Sequence, residues 1–176
     1  MKCIVLIDGS NFYFKLKDLN LHRELEFDFY AFAKKLADKH QIVDCVYYVG
    51  AVRTDGTKHT QKLFNRQQKL FAHLKKHHFK YSLGYLLKSG GKLHEKGVDV
   101  NIAVDILVST YEDLCDHIIL VSSDTDLLPA IKTARDEGKK IIYVGFENFI
   151  SRALSKNCSS YIILKKNQIL EFNKNK

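Results

Sequence analysis

Residues 3–11, CIVLIDGSN, and residues 117–126, HIILVSSDTD, decide how this chain is read. Each is a short apolar run closed by acid: Asp8 in the first, Asp124 and Asp126 in the second. A short apolar run bounded by turn residues predicts a buried strand, and open parallel sheets place their ligands beyond the carboxyl ends of such strands. Two strands ending in acid therefore predict one shared acidic rim. A third acid, Asp99, opens a helical pattern after Lys96-Gly97 in KGVDVNIAVD, residues 96–105. Gathered carboxylates repel one another, and hard divalent cations with oxygen ligands, Mg²⁺ or Mn²⁺, are the usual remedy.

Working outward, apolar runs alternate with helical periodicity, which predicts β-α units around a parallel sheet. Strands are expected at 3–7, 42–49, 79–84, 117–122, 140–145 and 161–164. Helices are expected at 11–19, 28–39, 58–76, 99–112, 126–137 and 148–155. Ser89-Gly90-Gly91 reads as a loop, Pro129 is the single proline, and no repeat or domain boundary is visible. At 176 residues and 45% hydrophobic content, with 11 Phe and 9 Tyr, the chain is expected to form one well-packed domain. Lys and Arg outnumber Asp and Glu by 28 to 20, a net charge of +8, and with several acids committed to one cluster the remaining surface must be basic. That excess favours a polyanionic partner. Cys3, Cys45, Cys115 and Cys158 are scattered without a CxxC pair, so buried free thiols in a reducing, cytoplasmic setting are expected rather than disulfides or zinc. No run is long enough for a signal peptide or a membrane span.

In DGSN, residues 8–11, Gly9 is expected to let the backbone turn, Ser10 to cap the next helix, and Asn11 to bond a carboxylate or a metal-bound water. An ordinary strand-to-helix turn would use the same residues. Ser10 excludes a haloacid-dehalogenase-type phosphatase, which needs a second aspartate at that position. In SSDTD, residues 122–126, one acid suffices to cap a helix, whereas two converging carboxylates suit a metal. Asp99 and Asp105 would lie about 120° apart on a regular helix, so both cannot point at one cation. Asp99, beside Gly97, is the one free to turn inward. Asp105 is expected to hold Asn11, Ser10 or a lysine, or to serve a structural ion pair.

A second pattern lies in residues 58–76. Lys58, Lys62, Arg66, Lys69, His73 and Lys76 fall within roughly one quarter of a helical circumference, with Leu63, Leu70, Phe71 and Leu74 opposite. Such a cationic row can track a phosphate backbone, although a solvated surface helix has the same pattern. Arg53, Lys92 and Lys96 would extend it toward the acids. His73, His77 and His78 are expected in the basic surface rather than around zinc. Tyr13, Tyr85 and Phe146 are candidates for stacking on bases if exposed.

IVLIDGSNFY, KGVDVNIAVDIL, HIILVSSDTDLLPAI and GKKIIYVGF, in that order, resemble the NYN domain family, a branch of the PIN-like nucleases similar also to the flap-nuclease group. The resemblance implies a three-layer α/β sandwich, a mainly parallel sheet flanked by helices, over residues 1–165, with residues 166–176 left as a basic C-terminal tail. It implies a ribonuclease using Mg²⁺ or Mn²⁺, taken as an endonuclease leaving a 5′ phosphate. Asp8, Asp99, Asp124 and Asp126 fall on the acidic, metal-binding positions, with Asn11 and Asp105 on polar positions beside them. One departure is Ser123 and Leu127, where relatives often have Gly and an aromatic. The expected partner is RNA, without a membrane; self-association is left open. A non-catalytic RNA-binding scaffold and a small-molecule phosphohydrolase are the alternatives.

Overall fold

A computed structural model describes residues 1–21, 24–89 and 92–173. Seven strands form one sheet in the order β4-β3-β2-β1-β5-β6-β7. They are β1 (Lys2–Asp8), β2 (Gln41–Ala51), β3 (Lys80–Ser89), β4 (Lys92–Lys96), β5 (His117–Val121), β6 (Lys140–Phe146) and β7 (Ser160–Leu164). All neighbours pair in parallel except β3 and β4. From β1 the chain steps outward through β2 and β3, then returns to place β5 on the other side of β1. That reversal makes the carboxyl ends of β1 and β5 the switch point where doubly wound sheets open a crevice. Beyond the pairing of Ala51 with Tyr85, β3 continues into the antiparallel hairpin with β4, so the hairpin stands above the rim as a wall.

Helices close both faces. α1 (Gly9–Asp18), α2 (Phe29–Ala37), α3 (Lys58–Lys76) and α7 (Lys166–Leu170) cover one; α4 (Val98–Tyr111), α5 (Leu128–Asp136) and α6 (Arg152–Asn157) cover the other. The expected three-layer α/β sandwich with a mainly parallel sheet is therefore the fold. The first face is aromatic: Phe12, Phe27, Phe29 and Phe32 are all but fully buried, with ring centroids 5.1–6.0 Å apart. Each such side chain stabilises the fold by about 1.5–3 kcal/mol through burial. The four cysteines are buried free thiols. Among the described residues no helix is long and apolar enough to cross a membrane.

Several stretches depart from expectation, among them β3, which runs to Ser89 instead of ending at residue 84 because pairing with β4 extends it. β4 was not foreseen, because KLHEK offers a single apolar residue and no run; Gly90 and Gly91 of the expected loop lie outside the described residues. α6 begins at Arg152, capped by Ser151, rather than at residue 148. In the C-terminal segment α7 forms, and Phe172 is buried against Phe27 and Phe32.

Candidate active site

Asp8 is the last residue of β1 and the cap of α1. Its Oδ1 accepts the Asn11 N–H at 3.0 Å, and its Oδ2 accepts the Ser122 hydroxyl at 2.8 Å. Ser122 also accepts the Asp124 N–H at 3.1 Å, which ties the end of β1 to the loop after β5. Asp124 in turn caps the 3-10 turn Thr125–Leu127, accepting the Asp126 N–H at 2.9 Å. Capping occupies one oxygen of Asp124 and leaves the carboxylate at the rim, so the capping and site readings coexist. Asp99, half-buried in the first turn of α4, follows Gly97, whose φ of +80° turns the chain from β4 into the helix.

Electrostatics join these acids. Burial pushes the Asp8 carboxyl up to about 6, against the opposing hydrogen bonds from Asn11 and Ser122, and Asp99 and Glu95 push it further. Asp99 is likewise raised by burial first, then by Asp124, Glu95 and Asp126. Asp8, Glu95, Asp99, Asp124 and Asp126 thus share one negative field. Among the described residues, no three His, Cys, Asp or Glu side chains form a ready-made metal cage.

Glu95 is the residue that sequence reasoning missed. Its Oε2 accepts the Ser10 hydroxyl at 2.9 Å and the Gly50 N–H at 2.6 Å, pinning the β4 wall to α1 and β2. Ser10 therefore serves Glu95, and the cap of α1 is Asp8. A Cβ at Gly50 would lie 2.8 Å from Leu86 Cδ2 and 2.9 Å from Glu95 Oε2, so any side chain there would displace the Glu95 carboxylate from this position. Gly9 is required for the same reason rather than for a sharp turn: its Cβ would lie 2.3 Å from the Tyr47 ring. The signal for Glu95 was its place just before the Gly97 turn, four residues ahead of Asp99.

Asp105 stands apart from the rim. Its Oδ2 accepts the Tyr48 hydroxyl at 2.6 Å, so its hydrogen-bond partner is a buried tyrosine rather than Asn11 or Ser10. It lies about 9 Å further along α4 than Asp99, at the rise of 1.5 Å per residue, and lines a separate cavity of about 550 Å³ with Asp44 and Lys80. Asn11 remains beside Asp8, half-exposed.

α3 starts near the carboxyl rim, just after β2, and runs toward the amino end of β3. Lys58, Lys62, Arg66 and Lys69 line a groove of about 670 Å³ on its outer side. Arg66 lies over the Tyr13 ring at 5.6 Å and 3.8 Å from the buried Glu24. Arg53 and Lys96 are exposed at the rim; Lys76 is exposed at the far end of the helix. His73 turns inward, its Nε2 2.8 Å from the Phe27 carbonyl, and His77 is buried 3.1 Å from Asp28, so neither belongs to an open basic surface. Tyr85 is half-exposed, whereas Phe146 is buried against Phe12 and unable to stack on a base.

The NYN domain profile matches residues 2–165. An uncharacterized protein of Methanocaldococcus jannaschii is 40% identical over 72 residues, which are 41% of this chain and 30% of that protein. The match thus spans under a third of the relative's length. A protein of unknown function from Vibrio parahaemolyticus shares the fold, with a TM-score of 0.67 and 22% identity over 93% of this chain and 92% of the other. A bacteriophage T5 flap endonuclease, solved with DNA and metal ions, overlaps at a TM-score of 0.41 and 19% identity, over 71% of this chain and 50% of that one.

Proposed function

The chain belongs to the NYN domain family, a branch of the PIN-like nuclease superfamily, and from that premise we propose that it is a metal-dependent ribonuclease. The observation that carries the reading is the shared field of acids at the switch point, in which Asp8 and Asp99 hold raised pKa values and no cation of the protein lies among the causes. A set of hard oxygen donors with uncompensated charge fits Mg²⁺ or Mn²⁺ in chemistry. Asp8, Asp99, Asp124 and Asp126 are the residues that would hold the ion. When bound, such an ion offsets phosphodiester charge and makes a water acidic enough to attack at neutral pH.

The chain's own groups supply the rest. Ser122 and the Asn11 N–H hold both oxygens of Asp8 in place, while Glu95 fixes the first turn of α1 at Ser10 and closes the rim on the β4 side. The groove of Lys58, Lys62, Arg66 and Lys69 would draw a polyanion toward that rim from the side of α3. The experiment offers end-labelled single-stranded RNA, structured RNA, DNA and, separately, p-nitrophenyl phosphate to the protein in Mg²⁺, Mn²⁺ or EDTA, beside Asp124→Asn. RNA cleavage that needs metal and is lost in the variant is the expected result. Binding without cleavage would replace this reading with a non-catalytic RNA-binding scaffold, and turnover of phosphate esters alone with a phosphohydrolase.

A further inference from the structure

α4 turns an uncharged face to solvent. Val100, Val104, Val108 and Tyr111 recur at helical spacing and are 63%, 49%, 40% and 64% exposed, while Val98, Ile102 and Ile106 on the opposite side are buried. Leu114, 45% exposed, follows just past the helix. An outward helix face in a water-soluble domain ordinarily carries charge. This one carries none, and the whole of α4 lacks Lys and Arg in a chain whose net charge is +8. A continuous apolar stripe of that kind marks an interaction surface.

We propose that this face joins two copies of the chain, α4 packing antiparallel on α4 of its partner about a two-fold axis beside Val104. The stripe is self-complementary, as a two-fold contact requires. Val100 and Val108 flank Val104 at equal spacing, so the axis sets Val104 against its own copy and Val100 against the copy's Val108. Antiparallel alignment also opposes the two helix dipoles favourably. Charge points to the same occupant: two chains of net +8 repel over most of their surface, whereas α4 itself brings no Lys or Arg to the contact, and the cations Lys2 and Lys80 line the cavity at its Val108–Leu114 end, away from the Val104 axis. The exposed parts of the five side chains amount to roughly 450 Å² per copy, and the half-exposed Asn101, Leu107 and Leu128 at the edges bring the pair toward the ~1,200 Å² of a stable dimer. The contact leaves both acidic rims open, since α4 meets the rim only at its first turn.

Sedimentation equilibrium of the full chain across micromolar to near-millimolar concentration tests this directly. The expected mass is twice that of the chain, falling to a single chain in Val104→Asp, whose exposed position leaves the far-UV circular dichroism unchanged while its melt loses the concentration dependence of a dimer. A second variant guards against misfolding. Val104→Cys treated with diamide should give the disulfide-linked dimer, because the four native thiols are buried, whereas Lys35→Cys on the opposite face should not. A wild-type chain that stays monomeric throughout would overturn the proposal. So would a dimer that survives Val104→Asp, or cross-linking no faster at position 104 than at 35.

Discussion

Asp8 and Phe12 are separated by one turn of α1 yet belong to regions built on opposite terms. Phe12 sits in an aromatic layer where each ring finds Phe27, Phe29 or Phe32 at contact distance and burial only stabilises. Asp8 is almost as buried, but its charge is desolvated beside Asp99 and Glu95, and its pKa climbs to about 6. The aromatic layer holds the fold together; the rim is held together by it, in an arrangement the rim's own charges oppose. The difference teaches where stability and function are stored. Perturbing each region should therefore change stability with opposite sign.

Phe29→Ala should cause the largest change. It removes a fully buried ring packed on Phe12, Phe27, Tyr47 and Phe79, at a cost of about 3–5 kcal/mol in chemical denaturation. Below its lowered melting temperature the variant should keep the rim's pH dependence. If that dependence disappears too, the two regions are not separable.

Asp8→Asn should act in the reverse direction. A carboxyl whose pKa rises on folding, from 3.8 to about 6, favours the native state when protonated. Its stabilising share is complete below the unfolded pKa and is lost as pH rises through the folded one. For the metal-free protein this amounts to a fall of about 3 kcal/mol between pH ~4 and ~7, at 1.36 kcal/mol per unit. Asp8→Asn should therefore melt above wild type at pH 7.5 and lose that advantage near pH 4. Mg²⁺ or Mn²⁺ should stabilise wild type at pH 7.5 more than the variant. Parallel melting curves for the two proteins across that range would refute the argument.

Glu95 sharpens the comparison because it belongs to both regimes, as an acid of the rim and as a structural acceptor. Glu95→Ala leaves the Gly50 N–H and Ser10 hydroxyl without their acceptor and should cost about 1–2 kcal/mol. Glu95→Gln keeps an acceptor and removes the charge, so it should cost less and shift the Asp8 titration, followed by carboxyl NMR, downward. Equal losses in the two variants would mean that the charge, not the hydrogen bonds, matters there.

The sequence revealed the sheet and its acidic rim for one physical reason: both are written locally. A run such as CIVLI or HIILV announces a buried strand, and the acid at its end announces a rim, without knowledge of any distant residue. Glu95 was hidden because its strand is an edge strand with no apolar run, recruited only by pairing with β3. Asp105 was read toward the site because α4 is so apolar that a charge in it demands a partner; which partner depended on Tyr48, on another strand. Gly9 was read as a turn because a sequence shows no close approach of a distant ring. His73 looked like one more cation in a row, and the Phe27 carbonyl that claims it comes from another element.

The smallest effect tests how far that row reaches. Lys62 lines the groove near the rim, whereas Lys76 stands at the other end of α3, about 20 Å further along at 1.5 Å per residue. If RNA enters along the first half of the helix, Lys62→Gln should reduce the slope of log affinity against log salt by about 0.7, the value for one phosphate contact on a single strand. Lys76→Gln should leave it unchanged. Neither substitution should alter the melt, because both side chains are exposed. Equal slope changes at the two positions would mean that the whole face attracts the polyanion diffusely, and the groove would then have no part in directing it to the acids.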